Sequence, residues 1–243
     1  DGVIELMPTA DGATYGFKFV NGHPSNPARG YQTVTAFGVL ADVHNGYPRF
    51  QSEMTILTAL RTAAVSGLAT KHLAPEGPCN LGLIGAGSQS EFQTLAVKIV
   101  RGLGKVAVFD VDRAASEKLA RNLAPLGIDV RIADSAAEAV ADAEVITTCT
   151  ADKRNATVLS LEDVRPGVHI NGIGGDCPGK TELDHRILDL GPVFVEYPEQ
   201  TRIEGEIQAK PEDYPVTEIW QVVAGLKEGR KPRASGDDPG SRQ

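Results

Sequence analysis

Hydrophobic and polar positions change period along the chain, and the changes predict its elements. Tyr15, Phe17 and Phe19 alternate with Gly16, Lys18 and Val20, which predicts a strand with aromatics on one face and Lys18 on the other. Asn21 to Pro27 is dense in turn formers. A second strand over residues 33–43 meets His44-Asn-Gly46 and returns through Tyr47 to Phe50, a hairpin pattern, so this region reads as antiparallel sheet. From residue 52 to about 72 a proline-free run rich in Ala, Leu and Thr predicts a helix. Ser52 is its predicted N-cap, and Leu57, Leu60, Ala64 and Leu68 form its predicted buried stripe.

Past Pro75-Glu-Gly-Pro78, which reads as a linker, strands and helices alternate. Leu81 to Ile84 is a short apolar run that enters Gly85-Ala-Gly-Ser-Gln-Ser90, and Phe92, Leu95, Ala96, Ile99 and Val100 then recur at helical spacing. Further strands are predicted at 106–109, 130–132, 145–148, 167–172 and 193–195. Asp112, Ser135 and Ser160 are placed to cap the intervening helices. This pattern predicts an α/β fold: a Rossmann-type doubly wound parallel sheet domain plus a smaller α+β domain. The expected division is 1–75 for the smaller domain and 76–205 for the parallel sheet. Residues 206–230 are expected to return toward the first domain. Residues 231–243, polar and without apolar period, are expected to be disordered.

Composition narrows the partners. The net charge is −8, and no basic run lies outside the last residues, which points away from nucleic acid. No apolar stretch nears the ~18 residues that span a bilayer. Cys79, Cys149 and Cys177 are odd in number and unrelated in spacing, as expected of reduced thiols in a cytoplasmic protein. No Cys/His cluster has metal-ligand spacing, so no metal is expected.

The candidate chemistry follows from the strand ends. Gly85 allows a tight turn, Gly87 leaves room for a phosphate to approach the backbone, and the next helix offers its amides, the arrangement that seats a dinucleotide pyrophosphate. Ser90 stands where the third glycine of that motif would be. Asp110 ends the following strand, where a carboxylate meets adenosine ribose hydroxyls and repels a 2′-phosphate, so NAD is favoured over NADP. Cys149-Thr150 ends the fourth strand of this set. Gly172-Ile-Gly-Gly-Asp-Cys-Pro-Gly-Lys180 ends the fifth, where a nicotinamide ring would lie. Asp176 is an acid/base candidate there or a turn aspartate, and Arg61, beside the helix stripe, either meets an anion or snorkels to water.

Taken together, Lys18 with Gly22-His-Pro24, Ser52 to Ala64, Gly85 to Phe92, Gly174 to Leu183 and Glu196 to Ile207 resemble the ornithine cyclodeaminase/mu-crystallin family, and most of all its bacterial cyclodeaminase branch. The resemblance covers about residues 1 to 230. It implies conversion of L-ornithine to L-proline and ammonia, with NAD removing a hydride from the substrate Cα and returning it to the cyclic imine. It also implies a homodimer. By the same resemblance Lys18 and Arg61 hold the substrate carboxylate, Asp176 is the acid/base group at the δ-amine, and Glu5 is a further substrate-side acid. Thr33, Arg61, Gly85, Gly87, Ser88, Gln89 and Asp110 match cofactor positions, with Thr150 and Lys180 close to the nicotinamide. His23 and His44 are expected to be turn residues.

Family members begin earlier and continue past residue 230 with a helix that lines the pocket, so the chain resembles a member clipped at both ends. Two other activities remain open at this point. One is an NAD-dependent amino-acid dehydrogenase or ketimine reductase of the same family, and the other is a non-catalytic dinucleotide-binding protein.

Overall fold

The computed structural model describes residues 2–151 and 156–230. The expected disorder of 231–243 therefore lies outside the described residues. Four antiparallel strands come first: β1 (Val3–Ala10), β2 (Thr14–Gly22), β3 (Val34–Asp42) and β4 (Pro48–Glu53), paired in that order. The predicted hairpin turn joins β3 to β4, with the Asp42 carboxylate accepting the His44 amide at 2.7 Å and Gly46 in the left-handed region. Register sets the two faces of this sheet. Lys18 lies opposite Met7 and Gly38, while Phe19 lies opposite Leu6 and Phe37. The aromatics do share the face away from Lys18, with Phe19 and Phe37 stacked at 5.1 Å and Phe17 edge-on to Phe37 at 6.4 Å.

Helix α1 (Thr55–Leu73) crosses the Lys18 face. Its start differs from the sequence expectation, because Ser52 and Glu53 belong to β4 and Met54 is the N-cap. The Glu53 carboxylate accepts the Thr55 amide instead, and Thr55 Oγ1 accepts the Ala36 amide at 2.9 Å, which ties the helix to β3. The predicted stripe is also on the wrong side. Leu57, Leu60 and Leu68 are 52%, 49% and 37% exposed, and Ala64 is exposed as well. The buried face is the small-residue one, Ala59, Ala63, Ser66, Gly67 and Thr70, because α1 packs closely on a second helix: a Cβ on Gly67 would sit 3.2 Å from Ala96 Cβ.

That second helix belongs to the parallel sheet, made of β5 (Cys79–Ile84), β6 (Leu103–Phe109), β7 (Val130–Ile132), β8 (Val145–Thr148) and β9 (His169–Gly172) in the order β7-β6-β5-β8-β9. The strands are apolar without alternation because both faces are covered. Helices α2 (Ser90–Arg101) and α3 (Arg113–Leu123) cover one face through Val97, Leu119 and Leu123, which pack with Leu81, Leu83, Val106 and Val108. Helix α4 (Ala136–Val140) and the later segments cover the other through Val140, Leu159, Leu183 and Ile207, which pack with Ile84 and Ile146. Asp112 and Ser135 cap α3 and α4 as expected, each accepting a backbone amide. Ser160 precedes a 3-10 turn but makes no side-chain cap bond.

Helix α2 forms where its spacing predicts, and the last strand differs from expectation. On α2 the buried residues are Ser90, Gln93, Thr94 and Val97, while Ile99 is 82% exposed, because α1 covers the Ala96 and Val100 side. The predicted sixth strand, β10 (Phe194–Val195), does not extend the parallel sheet. It precedes the single-turn α5 (Pro198–Thr201) and pairs with β11 (Thr217–Glu218) in a separate two-stranded sheet, before the short α6 (Ile219–Val223). The chain after α6 comes back to the end of α1, where Arg230 donates to Leu73 O at 3.1 Å and Arg101 donates to Lys71 O at 2.6 Å. Among the described residues no helix is long and apolar enough to cross a membrane, and no group of three or more His, Cys, Asp and Glu could hold a metal ion.

Candidate active site

Every parallel strand points its carboxyl end the same way, so Gly85, Asp110, Thr150 and the loop after Gly172 gather along one sheet edge. Gly85 closes onto the neighbouring strand end. Its φ is 104°, and a Cβ there would lie 2.7 Å from Cys149 O, so glycine is required by conformation and by space. Asp110 ties the turn together, accepting the Ala86 amide at 2.7 Å and the Asp112 amide at 2.8 Å. Ser90, in the third motif position, turns its hydroxyl back to Gly87 O at 2.7 Å.

Gly87 and its neighbours face outward. A Cβ on Gly87 would meet nothing within 4 Å, and Ser88 beside it is exposed. Among the described residues no acceptor meets the amides of Gly87, Ser88 and Gln89, and the buried Gln89 Oε1 has no partner. Free amides at the start of a twelve-residue helix, next to a glycine with room above it, make a fitting seat for a dinucleotide phosphate. Asp110 stands at the neighbouring strand end, where the motif places its ribose-binding acid.

The loop after β9 carries Asp176 half exposed on its outside and charged groups beneath. Lys180 is 1% exposed, and its ammonium donates to Thr150 O at 2.9 Å and to Asp176 Oδ1 at 3.2 Å. Glu182, also 1% exposed, accepts the Thr150 amide at 2.8 Å, the Thr150 hydroxyl, and the Gly174 amide at 3.0 Å. Glu206 accepts the amides of Glu182 and Leu183 at 2.9 and 3.0 Å. Burial pushes the Glu206 carboxyl up to about 7, against the two amide bonds that favour its charged form. Sequence reasoning missed Glu182 and Glu206. The available signal was three nearly adjacent glycines, Gly172, Gly174 and Gly175, which later prove to make room for these carboxylates.

The substrate-side candidates form a second group. Lys18 on β2 is held below the usual ammonium range, first by burial and then by Arg61, with Glu5 opposing. Glu5 pairs in register with Val20, two residues along β2 from Lys18, so both side chains face α1. Arg61 is half exposed, and its guanidinium lies 3.7 Å from the Glu196 carboxylate just after β10, so the arginine bridges α1 and the parallel-sheet side. Two cations, Lys18 and Arg61, thus stand close enough to repel each other, with Glu5 and Glu196 as the acids beside them. Thr33 joins neither group by a hydrogen bond among the described residues; its carbonyl accepts the His23 amide at 2.8 Å. His23 and His44 sit in turns, His23 with its ring 3.2 Å from Asn21 Nδ2.

Known proteins share this sequence and fold. The chain matches the ornithine cyclodeaminase/mu-crystallin family over residues 1–235. It is 59% identical over 231 residues to an ornithine cyclodeaminase of Brucella suis, covering 95% of this chain and 64% of that protein. The chain thus spans a little under two thirds of that relative's length. Among solved structures it resembles a lysine cyclodeaminase described for recognition of L-lysine, L-ornithine and L-2,4-diaminobutyric acid, at TM-score 0.87 and 35% identity over 94% of this chain and 69% of that one. It also resembles the Thermococcus litoralis Δ1-pyrroline-2-carboxylate reductase in complex with NADH and L-proline, at TM-score 0.87 and 31% identity over 95% and 74%. With the family matched along nearly the whole chain and the paired sheets built as its sequence implied, this chain belongs to the ornithine cyclodeaminase/mu-crystallin family.

Proposed function

We propose that this chain carries the cofactor and substrate groups of an ornithine cyclodeaminase, converting L-ornithine to L-proline and ammonia. The observation that carries the reading is the 59% identity to the Brucella suis enzyme across 95% of the chain, against 35% to the lysine cyclodeaminase and 31% to the reductase. The site chemistry supports it. Gly85 makes the turn, Gly87, Ser88 and Gln89 seat the NAD pyrophosphate on free amides, Asp110 takes the adenosine ribose, and Thr150 and Lys180 stand at the nicotinamide end with Thr33 and Arg61 on the far side of the cleft. Bound NAD supplies reversible hydride acceptance, so the net reaction needs no external oxidant.

The chain's own residues then have distinct tasks. Lys18 and Arg61 hold the α-carboxylate: burial and the neighbouring Arg61 penalise the Lys18 charge, and a bound carboxylate offsets both penalties. Glu5 stands close enough to bias an amine toward the charged form. Asp176 takes and returns the proton at the δ-amine, from a loop position open enough to reach substrate. We place the substrate-side unit at 1–75, the nucleotide unit at 76–205 and the returning segment at 206–230. A homodimer fits the same reading, because Leu57, Leu60, Ile4 and Leu6 are 52%, 49%, 64% and 67% exposed on the substrate-side unit and need cover; we place it in the cytoplasm on the reduced-thiol reading of its three cysteines.

The test is to incubate the purified protein with L-ornithine and substoichiometric NAD⁺ while following proline, ammonia and reduced nicotinamide. Equal proline and ammonia without accumulating NADH is expected. Net NADH formation would replace the reading with the dehydrogenase or reductase branch. NAD⁺ binding with no product would leave a non-catalytic dinucleotide-binding protein.

A further inference from the structure

The buried charges under the glycine loop form a connected brace. It starts in the 3-10 turn Glu206–Ala209, which lies under that loop. Glu206 grips two successive amides, Glu182 at 2.9 Å and Leu183 at 3.0 Å. The Glu182 side chain, leaving that gripped backbone, grips Thr150 and Gly174 in turn. Thr150 is thus held at both ends of its backbone, its amide by the Glu182 carboxylate and its carbonyl by the Lys180 ammonium. From the same turn Gln208 accepts the Gly179 amide at 2.6 Å and donates to Lys180 O at 2.7 Å. The loop's four glycines have no side chains to anchor it, so its place against the sheet edge is set from below.

Resting on the reading of Asp176 as the acid/base group, we propose that Glu206 is a positioning residue for it. By holding the Glu182–Leu183 backbone, Glu206 sets the Glu182 carboxylate against Thr150 and Gly174 and fixes the loop that carries Asp176. Three features separate this from a general contribution to the core. The carboxylate spends both oxygens on the backbone of one short segment, that segment's side chains reach the two loops at the sheet edge, and Lys180 in the same segment touches Asp176 itself. Each of the two amides takes one oxygen of the carboxyl group, and a carboxamide of the same size has only one acceptor oxygen, so it does not replace both.

The experiment is amide hydrogen exchange on the NAD-bound protein, with steady-state kinetics, for Glu206→Gln. Thr150 and Gly174 are expected to exchange about tenfold faster, the loss of roughly one hydrogen bond's worth of protection. Leu83 and Val108 in the sheet core are expected to keep wild-type protection. In the proposed reaction kcat falls about tenfold, while KM for the amino acid and Kd for NAD⁺ stay within about twofold. Wild-type exchange at Thr150 and Gly174, or an equal rise across the whole sheet, overturns the proposal. Glu206→Asp is the gentler second variant: it keeps the charge but shortens the reach, and an intermediate rise at the same two amides is expected, with no rise counting against it. Exchange is read without turnover. If the wild type makes no proline from ornithine, the functional reading falls while the exchange data still decide the brace.

Discussion

In the loop after β5, Gly87 faces open space, whereas in the loop after β9 Gly172, Gly174 and Gly175 face buried carboxylates. A Cβ on Gly174 would stand 2.1 Å from both Glu182 oxygens, one on Gly175 3.2 Å from Glu206 Oε1, and one on Gly172 3.2 Å from Glu206 Cγ. Both loops look alike in sequence, each a run of glycines at the end of a parallel strand. The first is bare on its outer side, and what it offers is free amides. The second is filled from beneath, and its glycines let two charged side chains reach the backbone. Glycine richness at a sheet edge therefore marks close approach, and only the neighbours reveal whether a ligand or the protein makes it.

Gly174→Ala strikes the filled loop hardest. Glu182 is 1% exposed and cannot swing to water, so an added methyl forces it off Thr150 or Gly174. Leaving a buried carboxylate short of its donors costs about 3–5 kcal/mol. Urea unfolding is expected to show a loss of that size, with activity gone. A change below about 1 kcal/mol would mean the loop shifts freely, and the contrast between the loops would fail.

How much of this was legible in the sequence depends on whether the signal was local. The strand ends, Asp112, Ser135 and the β3–β4 turn were read correctly because each rests on residues a few positions apart. The α1 stripe was misread for a tertiary reason. Leu57, Leu60 and Leu68 are the apolar face by composition, yet α2 approaches so closely that only Ala, Ser and Gly fit between the helices. Likewise β10 has strand composition, but its partner is β11, more than twenty residues later in sequence. In the site, Gly85 and Asp110 follow from a spacing rule. Glu182 and Glu206 stand on separate segments and meet only in the folded chain, so no spacing announced them.

Glu206, which fills the loop after β9 from beneath, also titrates, and it opposes another group at the far end of β9. Glu206 is raised from 4.5 to about 7, chiefly by burial, so its contribution to stability is full below pH 4.5 and lost as pH rises through 7. His169, at the start of β9, is lowered from 6.5 to about 4, chiefly by burial and against its bond to Asn171. Its contribution is full above pH 6.5 and lost as pH falls through 4. Between pH 4.5 and 6.5 the two slopes cancel, each about 3 kcal/mol across the window at 1.36 kcal/mol per pH unit. Glu206→Gln is expected to leave the His169 slope, so acidification from pH 6.5 to 4.5 costs that variant about 3 kcal/mol more than wild type. His169→Gln is expected to gain about as much. Parallel pH curves for all three proteins in urea unfolding would remove Glu206 as a titrating part of the loop's fastening.

Gly87→Ala tests the bare loop with the smallest expected change. Gly87 has no positive φ, and a Cβ would touch nothing within 4 Å, so neither conformation nor packing inside the chain calls for glycine. Removing a glycine from such a position stabilises a fold by about 0.4–1 kcal/mol through the unfolded chain. A dinucleotide phosphate resting on the amides of Gly87 to Gln89 would instead meet the new methyl. Kd for NAD⁺ is expected to rise about tenfold, or 1.4 kcal/mol, while unfolding in the absence of cofactor shows equal or higher stability. The two readouts must move in opposite directions. A variant that is more stable and binds NAD⁺ as tightly as wild type would show that the space above Gly87 is not where the phosphate sits, and the two loops would then differ only in how they are packed.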